Sequence, residues 1–122
     1  MTGEHEYAQR ALGQLRLVHQ LVPRHPVAFA HAAQAIDFHL ARVREVAVVG
    51  DDVGELAGVV RATFRPHVVS AGGDGLDDAG IPLLADRPRR DGRATAYVCE
   101  GFACRAAVTS ADELRALLDA PH

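Results

Sequence analysis

Lysine and tryptophan are absent from this sequence, so all 13 basic residues are arginine. Without lysine, the chain can form neither a lysine Schiff base nor a nucleotide-binding P-loop. Cysteine is scarce as well, with Cys99 and Cys104 as the two examples. We interpret the abundant alanine and the missing lysine as the coding bias of a GC-rich bacterial genome.

Long apolar segments are also missing. No apolar run reaches the roughly 18 residues that a membrane span requires, and no secretory signal opens the chain. We therefore predict a cytoplasmic protein with no membrane partner, whose two cysteines are reduced by default. The formal net charge of −3 argues against nucleic acid as a partner.

The 122 residues suffice for one domain, or for one domain with a small appendage. Their composition, 48% hydrophobic and 24% charged, is that of a globular protein. Apolar residues recur at helical spacing over residues 4–22 and 26–42. This spacing predicts an N-terminal helical hairpin over residues 1–43.

Both predicted helices carry apolar side chains on more than one face. The residues opposite the main apolar stripes are Leu17, Leu21, Val27 and Phe38. So small a chain cannot cover both faces of each helix, and large uncovered apolar patches mark interfaces. We therefore predict that these residues are contacts in a homodimer or higher oligomer formed through residues 5–43.

Residues 44–122 are predicted to form a small α/β domain. An apolar run over 46–49 predicts a buried strand, which a helix over 53–63 and a second strand over 67–71 complete as a βαβ unit. Strands over 94–99 and 104–108 then form a hairpin around a four-residue loop, and a capping box opens a final helix. The predicted fold class is α/β: an N-terminal helical hairpin packed with a small, mostly parallel sheet whose first strand is central, ending in an antiparallel hairpin and a C-terminal helix.

Six segments occur in an order and spacing that resemble one protein family. They are Thr2-Gly3-Glu4, Pro26-Val27-Ala28-Phe29, Arg44 to Asp51, Ile81-Pro82-Leu83-Leu84, Thr95 to Cys104, and Val108-Thr109-Ser110. Together they resemble the C-terminal end of the thioredoxin-domain-containing, spermatogenesis-associated-protein-like family. The resemblance implies a parent with a thioredoxin-like domain, an (α/α)₆ barrel like those of sugar epimerases and glycosidases, and then this α/β piece.

The chain departs from that parent in what it lacks. It has no Cys-x-x-Cys motif and only the last helical hairpin of a barrel, so no redox or pocket residue of the family can be transferred to it. The resemblance therefore implies a non-catalytic accessory domain with no cofactor. Its partner is either a second copy of the chain or the missing thioredoxin-like and barrel portions, supplied in trans.

Cys99 and Cys104 face each other across the predicted hairpin, at a Cα–Cα separation of about 4.5–5.5 Å that a disulfide tolerates. A reversible disulfide makes a small redox or redox-sensing protein the alternative function. We prefer two buried, reduced thiols that pack as small hydrophobic residues. A metal centre needs two more ligands, and only His67 lies near enough to be considered.

The turn after the first strand contains Gly50, Asp51, Asp52 and Gly54. In doubly wound folds, such a turn can hold a phosphate on the N-terminal amides of the next helix, so these residues are ligand-binding candidates. The complete glycine pattern is missing, however, and the two aspartates repel an anion. A capped turn with a structural role is the preferred interpretation.

Residues 85–93 are polar and rich in arginine, which predicts a solvated surface loop. The cluster of Arg87, Arg89, Arg90 and Arg93 can bind an acidic ligand, although solvation of these side chains is preferred. No serine has a histidine placed by spacing to act as its base. This chain alone is therefore not predicted to be an enzyme.

Overall fold

The structure, a computed structural model, describes residues 5–74, 80–101 and 103–120. The chain divides into two units, with the boundary between Arg42 and Val43. Thr2-Gly3-Glu4 and Phe102, which contribute to the family resemblance, lie outside the described residues. Among the described helices the longest has 14 residues, and none is long and apolar enough to cross a bilayer.

The N-terminal unit contains two helices, α1 (His5–Val18) and α2 (Ala30–Leu40). α1 ends earlier than predicted and α2 begins later, so the connection between them is longer. Pro23 and Pro26 lie in this connection, and proline lacks the N–H that a helix interior needs. Residues 19–29 therefore form successive turns, closed by backbone hydrogen bonds of 2.8 to 3.2 Å.

The C-terminal unit contains a four-stranded sheet in the order β2-β1-β3-β4. Its elements are β1 (Arg44–Val49), α3 (Gly54–Arg61), β2 (Val68–Gly73), β3 (Thr95–Glu100), β4 (Ala103–Val108) and α4 (Ala111–Asp119). The α/β class, the βαβ unit, the central position of β1, the antiparallel hairpin and the final helix are thereby confirmed.

The sheet is mixed rather than mostly parallel, which corrects the prediction. β1 pairs in parallel with β2, whereas the β1–β3 and β3–β4 pairings are antiparallel. Thr95 begins β3 opposite Val49, the last residue of β1, so the chain re-enters the sheet at the end where β1 stops. A parallel β3 requires a crossover, usually a helix, and the described part of residues 74–94 contains none.

Successive side chains of a strand point to opposite faces of the sheet, so the strands contribute to two separate cores. Both faces of the sheet are covered. One face packs on α3 and α4 in a core of Val46, Val48, Leu56, Val59, Ala96, Val98, Leu114 and Leu118. The other face packs on the segment before β3 in a core of Ala47, Val49, Leu83, Leu84, Tyr97 and Cys99. Strand β1 is buried along its whole length, as its continuous apolar run predicts.

The β3–β4 connection is shorter than predicted. The strands extend to Glu100 and Ala103, so two residues connect them instead of four. Gly101, the first of the two, has φ +56°. Glycine adopts positive φ without steric cost, which permits the tighter turn.

Side chains cap both ends of α4. At its start, Ser110 Oγ accepts a hydrogen bond from the Glu113 N–H at 3.4 Å, as the capping motif predicts. At its end, Arg44 of β1 donates to Leu118 O at 2.7 Å and to Ala120 O at 2.6 Å. Arg44 is only 5% exposed, and its charge complements the negative end of the helix dipole. This long-range cap fixes α4 against the central strand.

Candidate functional site

The predicted pair of cysteines forms a disulfide bond. Cys99 of β3 lies opposite Cys104 of β4, with their Cα atoms 3.8 Å apart. Cys99 is fully buried, whereas Cys104 is exposed on the edge strand β4. The structure therefore favours the disulfide over the two buried thiols that the sequence analysis preferred.

A β-bulge lies beside the disulfide. Val98 pairs with Ala106 but Cys99 pairs with Cys104, which leaves Arg105 as an extra residue in β4. Bulges increase the local twist and redirect side chains, and they are frequent next to functional sites. The Arg105 guanidinium is exposed and pairs with a Glu100 carboxylate oxygen at 3.0 Å.

Arg87 places its guanidinium beside both sulfur atoms. Its Nη2 lies 3.4 Å from Cys104 Sγ and 3.6 Å from Cys99 Sγ. Its Nη1 donates to the carbonyl oxygen of Leu83 and, at 3.2 Å, to that of Ala85. The residue is 9% exposed, and its Nε has no hydrogen-bond partner among the described residues. A buried cation therefore lies in contact with a disulfide in which Cys99 is buried and Cys104 is an exposed residue.

The segment that carries Arg87 is fixed on the sheet at several points. Leu83 and Leu84 are 4% and 2% exposed and pack into the second apolar core. Beyond Arg87, the Tyr97 hydroxyl donates to the carbonyl oxygen of Pro88 at 2.6 Å. Arg87 therefore lies between two fixed points, the buried leucines before it and the Pro88 hydrogen bond after it. These contacts hold its guanidinium in place.

The prediction of a solvated loop over residues 85–93 is wrong for Arg87. The loop holds its charge against the sheet because the apolar segment just before it must be buried. Arg89 is also engaged, in an ion pair with Asp51 after β1. The signal for this arrangement in the sequence is the apolar Ile81-Pro82-Leu83-Leu84 segment beside a run of arginines.

The described residues offer no metal centre at the cysteines. No group of three or more histidine, cysteine, aspartate or glutamate side chains among them is placed to hold a metal ion. Both sulfur atoms are used in the disulfide. His67 precedes β2, which β1 separates from the cysteine-bearing β3.

The candidate ligand-binding turn between β1 and α3 is shaped by its own contacts. Gly50 has φ +146°, and a Cβ there would lie 2.7 Å from the Ala94 Cα. Asp52 Oδ1 accepts the Gly54 N–H at 3.2 Å, and Asp51 forms the ion pair with the loop arginine described above. The N-cap of α3 is Val53, which has no side-chain cap, so the predicted capping of this helix is wrong. The contacts of Asp51 and Asp52 are nevertheless structural ones within the chain.

A cavity of about 460 Å³ lies beside this turn, between α3 and β2. Its lining includes Val53, Val60, Gly72, Ser70 and Arg61. The Arg61 Nε already donates to a carbonyl oxygen of its own helix at 3.2 Å. The cavity is mostly apolar and holds no cluster of groups that would activate or orient a substrate.

Three of the four predicted contact residues in the N-terminal unit are exposed. Leu17, Leu21 and Val27 are 73%, 39% and 93% exposed, and Phe38 is half-buried. No described residue of α1 or α2 is buried. Further exposed apolar side chains, which the sequence analysis missed, are Tyr7 and Leu40.

Nearly the whole of this chain is similar to part of spermatogenesis-associated protein 20 from three mammals. The human protein is 28% identical over 125 residues, which cover 96% of this chain and 16% of that protein. The rat and mouse proteins are 26% identical and also match over 16% of their length. The chain resembles one part of spermatogenesis-associated protein 20.

This similarity confirms the predicted resemblance to a C-terminal piece of the spermatogenesis-associated-protein family, at low identity. The chain spans 16% of the length of the spermatogenesis-associated protein 20 relatives that it matches. No family model matches the sequence, and no solved structure matches it either. The relatives are mammalian, so they give no support to the predicted bacterial source.

Proposed function

We propose that this chain is a non-catalytic accessory domain that docks on a partner through its N-terminal helical hairpin. The observation that carries the proposal is the extent of the match. Nearly all of this chain, 96%, corresponds to only 16% of human spermatogenesis-associated protein 20. The equivalent piece of that protein is a small part of a much longer chain, where neighbouring segments are available to cover it.

The apolar surface of the hairpin supports the same proposal. Leu17, Val27 and Leu40 are each more than 70% exposed on a unit in which neither helix has a buried residue. Burying one such side chain contributes about 1.5–3 kcal/mol. The occupant we propose is a second copy of the chain, because every copy presents the same surface and a symmetric pair covers both. Thioredoxin-like and barrel portions, which the resemblance implies for the parent, are the alternative occupant.

The double substitution Leu17→Glu and Val27→Glu is expected to convert a dimer or higher oligomer into a monomer. Two carboxylates in a desolvated contact cost several kcal/mol, whereas on a free surface they cost little. Light scattering at tens of micromolar measures the mass, and circular dichroism checks that the helices remain.

The matched control for this experiment is Gln9→Glu. Gln9 is an exposed polar residue of α1 that lies about 80° around the helix from Leu17, between its two apolar faces, so this variant is expected to keep the native mass. A native chain that is monomeric at tens of micromolar contradicts self-association, and the alternative occupant would then be the one to pursue.

A second candidate function, thiol–disulfide exchange at Cys99 and Cys104, is supported by a separate observation. Cys104 is exposed, and a buried arginine lies 3.4 Å from its sulfur. Disulfides in cytoplasmic proteins are usually transient, catalytic or redox-sensing. The predicted cytoplasmic location therefore favours a bond that opens and closes.

If the bond is reversible, millimolar dithiothreitol at neutral pH is expected to open it in the folded protein. Alkylation followed by mass spectrometry should find two modified cysteines, while circular dichroism shows that the strands remain. A bond that opens only after denaturant is added contradicts the exchange function and assigns the disulfide a structural role.

A further inference from the structure

Arg87 brings a positive charge into a site where its polar partners are neutral. Among the described residues these partners are the carbonyl oxygens of residues 82, 83 and 85 and the two sulfur atoms of the disulfide. The residue is only 9% exposed, so water screens the charge poorly. A buried cation becomes more stable when an anion forms beside it. Among these partners of the guanidinium, the groups that can become anions are the two sulfurs.

We propose that Arg87 holds the thiolate that forms when the Cys99–Cys104 disulfide is reduced, which makes this corner of the sheet a thiol–disulfide exchange site. A neighbouring arginine favours the thiolate form of a cysteine. The inference rests on the second candidate function and adds to it the residue that stabilises the leaving sulfur. The reaction partner is a dithiol, a molecule or protein with two thiols that can close on each other.

Exposure sets the order of the steps. Cys104 is exposed and Cys99 is fully buried, so an incoming thiolate reaches the Cys104 sulfur first. The new S–S bond forms between the partner and Cys104, and the Cys99–Cys104 bond breaks. Cys99 Sγ keeps the electron pair as a thiolate, 3.6 Å from the Arg87 Nη2 in the oxidised structure.

The second thiol of the partner completes the exchange. After losing its proton to solvent, it attacks the partner's own sulfur in the mixed disulfide and displaces Cys104 as a thiolate. The partner leaves with an internal disulfide, and the chain retains two thiols once the thiolates have taken up protons. Two electrons and two protons have then moved from the partner to the chain, with no other reactant involved.

Other charged side chains near the cysteines do not replace Arg87. Glu45 of β1 is directly opposite Cys99 in the sheet and is 3% exposed, and Glu100 is the next residue along β3. Both are acidic and disfavour a thiolate. Arg105 and Arg44 are the other cations nearby, and both pair with Glu100, at 3.0 and 3.9 Å. If the thiolate form of a cysteine is favoured at this site, the Arg87 guanidinium is therefore the group that favours it.

The first test compares the rate at which dithiothreitol reduces the disulfide in the native chain and in Arg87→Met. The variant is expected to react about 3- to 10-fold more slowly, because reduction is slower when the leaving thiolate is less stable. Arg87→Lys should recover part of the rate, since lysine restores the positive charge but lacks the planar, multidentate donor geometry of a guanidinium. Alkylation of samples quenched in acid measures the free thiols over time.

Arg89→Met is the matched control. Arg89 lies in the same loop as Arg87, but its guanidinium pairs with Asp51 instead of contacting the sulfurs. The reduction rate of this variant should equal that of the native chain. If Arg87→Met also reacts at the native rate, Arg87 has no role in the exchange even though the disulfide is reducible. If the native disulfide resists dithiothreitol altogether, the exchange function itself fails.

A second measurement needs no variant and so does not depend on Arg87→Met folding. In the reduced native chain, the rate at which iodoacetamide alkylates each of the two cysteines is followed against pH by mass spectrometry of the peptides. The half-maximal rate is expected at a pH clearly below the value of about 8.5 that is usual for a free cysteine. A half-maximal rate at or above that pH overturns the proposal, because the acidic neighbours would then outweigh Arg87.

Discussion

Replacing Arg44 with methionine is expected to lower the free energy of unfolding by about 3 kcal/mol. Methionine keeps an apolar stem but removes the cation that donates to Leu117 O, Leu118 O and Ala120 O at 3.2, 2.7 and 2.6 Å. The last carbonyls of a helix have no N–H partner within it, and hydrogen bonds from a charged donor contribute about 1.5–3 kcal/mol each. Water that reaches the exposed end of α4 offsets part of this loss. Urea denaturation followed by circular dichroism measures the change.

Arg61→Met is the matched control for this prediction. Arg61 is exposed and donates to Ala57 O of its own helix at 3.2 Å, so its loss should cost less than about 0.5 kcal/mol. Arg44→Lys is expected to recover only part of the stability, because an ammonium group lacks the planar fork that serves several carbonyls. Equal losses for Arg44→Met and Arg61→Met would mean that the buried cap contributes nothing specific.

Local sequence patterns were sufficient to predict most of the elements of the C-terminal unit. A continuous apolar run over residues 46–49 identified β1, because a strand buried on both faces is rich in apolar residues at successive positions. The two charged residues that begin the strand, Arg44 and Glu45, are also buried, which the run does not predict. The motif at Ser110 located the start of α4, because the capping contact spans only three residues. The two cysteines were placed opposite each other because hairpin pairing depends on neighbouring segments of the chain.

Features that depend on distant segments were beyond these patterns. The direction of β3 depends on where the chain returns to the sheet, which periodicity does not encode. Arg44 caps a helix more than 70 residues away, and Arg87 reaches sulfurs 12 and 17 residues away across a packed loop. In both cases an arginine that composition assigns to the surface is buried by tertiary contacts. The sequence was thus sufficient to place the two cysteines of the candidate site opposite each other, but not to place Arg87 beside them.

Gly50→Ala is expected to lower the free energy of unfolding by about 4 kcal/mol, the sum of two separate effects. Residue 50 has φ +146°, where an alanine is strained by about 1–3 kcal/mol. The added Cβ would also lie 2.7 Å from the Ala94 Cα, and relieving such an overlap costs about 1–3 kcal/mol. Urea denaturation of the chain without any ligand measures the loss.

Gly58→Ala gives this prediction a control of opposite sign. Gly58 lies inside α3, and nothing lies within 4 Å of the position that an added Cβ would take, so alanine should stabilise the chain by about 0.5–1 kcal/mol. The pair of variants also separates the two interpretations of the β1–α3 turn. If Gly50 were present only to let a phosphate approach the backbone, alanine would cost the unliganded chain no more than the strain of the positive φ, about 1–3 kcal/mol. A larger loss without ligand instead means that the close approach of Ala94 requires the glycine.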